Sequence, residues 1–242
     1  MIGAITGRHL KLLLGYFDNP EDIFKASAAE ISYVCGVEQV TAHKIISLGQ
    51  EQINKELELA KELGIKIITY GEDGYPHLLK NIYDPPIVLY IKGEMDFLKF
   101  RSLAVVGSRR ASFYGLANAE NLSFELGLKG MAIISGMARG IDTYAHRGAL
   151  RAGAITVAVL GSGLNSIYPS ENIRLSNEIS LRGAVISEFP LNTGPLKYNF
   201  PRRNRLISGL SAGVLVVEAS LNSGALITAD FALEQGREVF AL

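Results

Sequence analysis

Charge of one sign is the first thing this chain lacks. Its 242 residues carry 24 Lys+Arg against 24 Asp+Glu, a formal net charge of zero. Global charge therefore gives no reason to expect nucleic acid, and any such argument has to rest on local clustering. Cysteine is nearly absent. The single Cys35 excludes an internal disulfide framework and fits a reducing compartment, so a cytoplasmic location is expected. No apolar run approaches the roughly 18 residues of a membrane-spanning helix, so no membrane association is expected. The opening MIGAITGRHLKLLLGY has no long apolar segment with a small-residue cleavage site and does not read as a signal peptide. The histidines His9, His43, His77 and His146 are scattered, which leaves no metal constellation, and no metal or cofactor is expected. The nucleotide fingerprints are missing too. GSRRAS is not a glycine-rich dinucleotide turn, GSGLNS stops after G-x-G, and no GK[ST] follows a strand.

What is present is ample apolar material, 48% against 20% charged, enough for a sizeable core. The length suggests one large domain and one small one. Residues 1–62 read as a small all-α domain with helices near 6–15, 20–26, 28–34, 39–48 and 50–63. Ser27 and Glu30 have capping-box spacing before Ile31 and Val34. ISYVCGVEQVTAHKII resembles a helix-hairpin-helix unit through Ile31, Val34, Gly36, Val37, Thr41, Ala42 and Ile45. Cys35 replaces the usual proline and Glu38 the second glycine, where a carboxylate should repel a DNA phosphate. A packing module without DNA affinity is therefore the favoured reading.

Residues 63–242 form the second expected domain. GIKIITYGEDGYP and PPIVLYIKG are two strand-like runs divided by turn residues. From Leu103 strands alternate with helices. LAVVGS precedes a helix at 114–128, AIISG one at 142–152, ITVAVLGSG one at 170–181, AVISEF one at 201–210 and VLVVEAS one at 224–235. EVFAL ends the chain. The pattern predicts an α/β fold, a Rossmann-like, mostly parallel sheet flanked by helices. A central order 3-2-1-4-5 would place the loops after the first and fourth strands beside the switch-point crevice.

Ligands of such sheets bind outside the carboxyl ends of the strands, so those loops are the ones to examine. They carry Gly107, Ser108, Arg109 and Arg110; then Ser135, Gly136, Arg139 and Asp142; then Gly161 to Tyr168; then Lys197, Phe200, Arg202, Arg203 and Arg205; then Ser220, Ser223 and Gly224. Seven basic side chains meet three acids, Asp142, Glu188 and Glu218. A neutral protein can thus present one positive rim. Gly-Ser pairs offer backbone donors to phosphates, and several such loops with spread arginines suit a polyanion tracked along its length. A helix opening at Gly224 adds a dipole end suited to an anion. Phe200 can stack a base, whereas Tyr168 reads better as closing its loop. Arg205, a turn further on, is a candidate to pair with a core acid. His146 lies one turn after Asp142, and a structural ion pair or buried hydrogen bond is favoured there over acid–base catalysis.

The strings GSRxAS–YG, SGMARGID with AHRGAL, AVLGSGLNSIYPSEN, SEFP, FPRRNRLISGLS and VVEASxxSGALITADFALEQGREVFA resemble the DNA-processing protein A family, called DprA or Smf. The resemblance runs from about Tyr70 to Leu242. It implies an extended Rossmann fold that binds and protects single-stranded DNA, forms a homodimer and loads the RecA recombinase during natural transformation. It implies no enzymatic activity. The family's G-S/T-R arginine is Arg109 here, and its serine and glycine after the second strand are Ser135 and Gly136. Its basic loop residues are Lys197, Arg202 and Arg203, and its S-G turn is Ser223-Gly224. The N-terminal helices fit the sterile-alpha-motif-like domain many members carry. Members usually continue with Pro-Gly and often a winged helix, so the chain is expected to be truncated at Leu242. The alternative is a nucleotide-cleaving hydrolase of the lysine-decarboxylase-like group, whose P-G-G-x-G-T-x-x-E glutamate has no counterpart beside Gly224.

Overall fold

The computed structural model describes residues 7–47, 50–221 and 223–242. The chain divides into two compact units between Leu63 and Gly64.

In the first unit, α1 (Gly7–Tyr16), a 3-10 turn (Pro20–Phe24), α2 (Ala28–Cys35), α3 (Gln39–Ile46) and α4 (Gln50–Glu62) follow one another. The expected helix start at residue 6 and end at residue 48 lie outside the described residues. Ser27 caps α2, its Oγ accepting from the Glu30 N–H at 3.2 Å, as the S-x-x-E spacing suggests. Gly36 ends α2 in the left-handed region at φ 67°, where glycine carries no Cβ penalty. Leu13, Ile23, Ile31, Cys35, Ala42 and Ile45 close around each other as the unit's core.

The second unit is built on an eight-stranded sheet. Its strands are β1 (Lys66–Thr69), β2 (Val88–Gly93), β3 (Ser102–Gly107), β4 (Ala132–Ser135), β5 (Thr156–Val159), β6 (Ala184–Ser187), β7 (Gly213–Glu218) and β8 (Glu238–Ala241). The order is β1-β2-β6-β5-β4-β3-β7-β8. All pairs from β6 to β8 are parallel, while β1–β2 and β2–β6 are antiparallel. The helices are α5 (His77–Lys80), α6 (Phe113–Leu128), α7 (Ile141–Arg151), α8 (Ile173–Arg182), α9 (Asn199–Gly209) and α10 (Gly224–Glu234).

Alternation along each strand feeds two cores. Ala104, Val106, Ile134, Val214 and Val216 face Leu206 and Ile207 of α9 and Ala225, Ala229 and Ala232 of α10. Leu103, Val105, Ile133, Leu215 and Val217 face Ala119 of α6 and Ile141, Ala145 and Ala149 of α7. With both faces covered, the strands read as unbroken apolar runs.

The strand order corrects the sequence expectation. The strand Ala184–Ser187 does not join the central strand; it extends the other half of the sheet, beside β5. There β2 covers its outer edge, so it is buried on both flanks. The chain then crosses back through residues 188–198 and α9 to lay β7 against β3. The switch point therefore lies between β3 and β7.

Candidate nucleic-acid interface

Above the carboxyl ends of β3 and β7 opens a crevice of about 850 Å³. Three segments wall it: Gly107, Ser108, Arg109 and Arg110 after β3; Lys197, Phe200, Arg203 and Asn204 leading into and along α9; and Ser220, Ser223 and Gly224 at the start of α10. A small cleft adjoins it, lined by Gly136, Arg139 and Pro169 together with the shared Arg109, Ala138, Tyr168, Phe200 and Arg203. The Arg109 guanidinium lies over the Phe200 ring, 5.3 Å from its centre, and the Tyr168 and Phe200 ring centres are 5.7 Å apart, the rings tilted by 55°. An arginine and an aromatic ring are thus held against each other, the two groups a nucleotide needs for its phosphate and its base.

The loop bearing Arg109 is held at both ends. Strict alternation would turn Glu218 to the face of Val214 and Val216. A register shift between Val106 and Gly107 sets Glu218 opposite Gly107 instead. Its carboxylate meets Ser112: the Ser112 N–H lies 3.1 Å from both oxygens, and the Ser112 hydroxyl donates to one of them at 2.6 Å. Ser112 Oγ in turn accepts from the Gly115 N–H at 3.1 Å and caps α6. A Cβ on Gly115 would stand 2.3 Å from the Glu218 carboxylate, so a side chain there would push the carboxylate off Ser112. At the other end the Ser108 N–H donates to the Glu218 carbonyl at 2.7 Å.

Arg203 is only 4% exposed. Its Nη1 donates to the carbonyls of Gly136 and Val159, and its Nε to Asn204 Oδ1 at 3.2 Å. It therefore joins the ends of β4 and β5, and a Cβ on Gly136 would stand 2.6 Å from its nitrogens. Burial pulls its pKa down to about 10, opposed by Asp142 and assisted by Arg109, so it stays charged near neutral pH. Asp142 accepts from the N–H groups of Gly136 at 3.1 Å and Ala138 at 3.3 Å. Burial raises its pKa above the usual carboxylate value; Arg203 and these two donors oppose the rise.

Eight of the twelve residues singled out from sequence line the crevice: Gly107, Ser108, Arg109, Lys197, Phe200, Arg203, Ser223 and Gly224. Gly136 and Arg139 line the cleft, and Arg139 is paired with both carboxylate oxygens of Glu171. Two residues are corrected. Ser135 is fully buried and donates to the Val105 carbonyl at 2.6 Å, so its hydroxyl serves the sheet. Arg202 does not line the crevice. Its guanidinium lies against Phe189 and 3.6 Å from Glu188, because successive residues of a helix point in different directions. Arg205 pairs with Glu188 at 2.6 Å and Asp84 at 3.3 Å, in keeping with the core role expected of it.

The Asp142–His146 pairing is not made. Thr156 gives its hydroxyl proton to the Ile133 carbonyl, so His146 Nδ1 must donate to Thr156 Oγ1 at 2.7 Å. Burial and the nearby Arg203 lower its pKa to about 3, and the ring is neutral. Sequence reasoning missed Glu218 as a positioning residue and Asn204 as a tie, its Nδ2 donating to the Gly224 carbonyl at 2.9 Å. The one available signal was membership, since both lie inside strings already singled out. Among the described residues no group of three or more His, Cys, Asp and Glu could hold a metal ion, and no helix is long and apolar enough to cross a membrane.

Comparison with known proteins gives a consistent set. Residues 66–242 match the family model described as DNA recombination-mediator protein A. Protein Smf of Escherichia coli is 47% identical over 202 residues, 83% of this chain and 54% of that protein, so the chain spans about half the length of that relative. The X-ray structure of DNA processing protein A from Streptococcus pneumoniae superposes with a TM-score of 0.82 at 38% identity, covering 98% of this chain and 82% of that one. DNA processing protein A from Helicobacter pylori, described as having a unique single-stranded DNA binding mode, superposes with a TM-score of 0.67 at 31% identity, covering 73% and 80%.

Proposed function

The chain belongs to the DNA recombination-mediator protein A family, and from that premise we propose that its crevice holds single-stranded DNA. The observation that carries the reading is the juxtaposition of Arg109 with the Phe200 ring at 5.3 Å, inside a crevice that also gathers Lys197, Arg203 and the start of α10. Arginines, an aromatic face and a helix start together suit a flexible strand with splayed bases; a duplex would call for an element sized to enter its groove. Gly107, Ser108, Gly136, Arg139, Ser223 and Gly224 are the remaining contacts in this reading. The single-stranded DNA binding mode described for the Helicobacter pylori relative supports it.

The finer role we propose is to protect incoming DNA and load the RecA recombinase on it, as a cytoplasmic homodimer; the family's description as a recombination mediator supports this. No catalytic step is assigned. Asp142, which lines the crevice, and Glu218, which holds the Arg109 loop, are both engaged by backbone N–H groups, so neither is placed as a general base.

The test is a titration of oligo-dT against duplex DNA at matched salt, for the parent and Arg109→Ala. Single strands should bind more tightly. Arg109→Ala should weaken binding to every sequence alike and flatten the salt slope by roughly 0.7, the share of one phosphate. Duplex binding as tight as oligo-dT, or an unchanged slope, refutes the reading.

A further inference from the structure

Two aromatic side chains stand beside the crevice without belonging to it. Phe113 is 93% exposed and Tyr114 70% exposed, at the first two positions of α6. A lone exposed aromatic needs no explanation, but here two adjacent large rings stay in water on a well-anchored support. The anchoring is specific: Ser112 caps the helix, Glu218 grips Ser112, and the Asn118 side chain donates to the Tyr114 carbonyl at 2.8 Å. The backbone beneath the rings is therefore held before any ligand arrives.

Their neighbours give the chemistry. Arg109 and Arg110 are exposed in the same loop and face the crevice mouth. Four residues of chain span at most about 14 Å, so Phe113 lies within that reach of Arg109. The first turn of α6 carries no carboxylate, and Glu218 is held by Ser112. Two exposed arginines thus stand against the one carboxylate of Glu218, a balance that favours an anionic occupant.

We propose that Phe113 and Tyr114 form a second stacking platform, on which bases of a nucleic-acid strand leaving the crevice past Arg109 and Arg110 come to rest. The inference rests on the crevice being the single-strand site. Stacking of this kind tolerates any base, because every base has a π-face. The platform thus lengthens the footprint without adding sequence preference. It also gives the strand a direction of exit, over the start of α6.

The chain has no tryptophan, so Phe113→Trp introduces a single tryptophan at the platform, read apart from the tyrosines by excitation at the red edge of its band. Its fluorescence should be quenched by a saturating long oligo-dT and left unchanged by a saturating trinucleotide that only fills the crevice. The double variant Phe113→Ala/Tyr114→Ala should melt like the parent, since both rings are exposed. It should bind long oligo-dT roughly tenfold more weakly, and the trinucleotide equally well. An unresponsive tryptophan, or parental affinity of the double variant for long oligo-dT, overturns the platform while leaving the crevice reading intact. If the parent itself fails to bind oligo-dT, the crevice reading falls first and the platform with it. If the double variant loses self-association in sedimentation yet keeps parental affinity for long oligo-dT, the rings serve a second copy of the chain and the proposal is overturned.

Discussion

Replacing Glu218 by alanine sets two mechanisms against each other with opposite signs. If Glu218 acts as a negative charge on the rim, removing it strengthens the positive field around Arg109 and Arg110, tightens polyanion binding and steepens its salt dependence. If it acts as the clamp seen in the structure, removing it frees Ser112, whose N–H and hydroxyl both turn to its carboxylate within 3.1 Å. Hydrogen bonds to a charged group contribute about 1.5–3 kcal/mol, and partial solvent access brings this site to the lower end. Letting one or two residues of the 108–112 loop regain backbone freedom costs a further ~1–2 kcal/mol each when DNA orders them again. The clamp wins this comparison, because a surface charge contribution is of the order of 1 kcal/mol or less. Glu218→Ala should therefore melt ~3–6 °C lower and bind oligo-dT roughly ten times more weakly by fluorescence anisotropy. Tighter binding by the variant would refute the positioning role and restore Glu218 to a plain rim charge.

Three further outcomes follow from neighbouring residues. Arg203→Ala should cost about 3–5 kcal/mol of stability, the usual loss when one partner of a buried charged network goes. Arg202→Ala should cost less stability than that, since Glu188 keeps Arg205 at 2.6 Å, and should leave oligo-dT affinity near the parent's; a melting series with anisotropy separates the two. His146 has a pKa lowered to about 3 from 6.5, so the unfolded chain takes up its proton first. Its contribution to stability is complete above pH 6.5 and is lost as pH falls below that value, by up to about 1.4 kcal/mol per pH unit. His146→Gln should flatten this acid dependence in denaturant melts between about pH 7 and pH 5. Because Asp142, with its raised pKa, acts in the opposite direction, the comparison between variant and parent is what isolates the histidine.

Much of the α/β architecture is written locally. Runs such as VLVVEAS and LAVVGS are strands because β-branched residues fill both covered faces, and the loops after them follow by alternation. Strand order is not local. Nothing in AVISEF says that it will extend the far half of the sheet, since that depends on β2 returning antiparallel to cover its edge. The three arginines of FPRRNR look alike in sequence but have three fates: Arg202 lies against Phe189, Arg203 bridges two strand ends, and Arg205 joins Glu188 and Asp84. The angle each takes around α9 decides this, and helix phase relative to the sheet is a tertiary property. Spacing makes Asp142 a candidate partner for His146, yet Asp142 is occupied by the turn that precedes its helix and the ring finds Thr156 instead.

The long return from β6 to β7 has a consequence for how the protein comes into being. One strand of the sheet's centre, β3, leaves the ribosome more than a hundred residues before its neighbour β7. Through all of that interval the nascent chain carries a bare β3 edge, rich in valine and open to any other strand. The last wall of the crevice, with Ser220, Ser223 and Gly224, arrives directly after β7. Closure of the sheet edge and completion of the crevice are thus one event in synthesis: a chain that has not hidden its sticky edge has no complete crevice, and a chain with a complete crevice has hidden that edge.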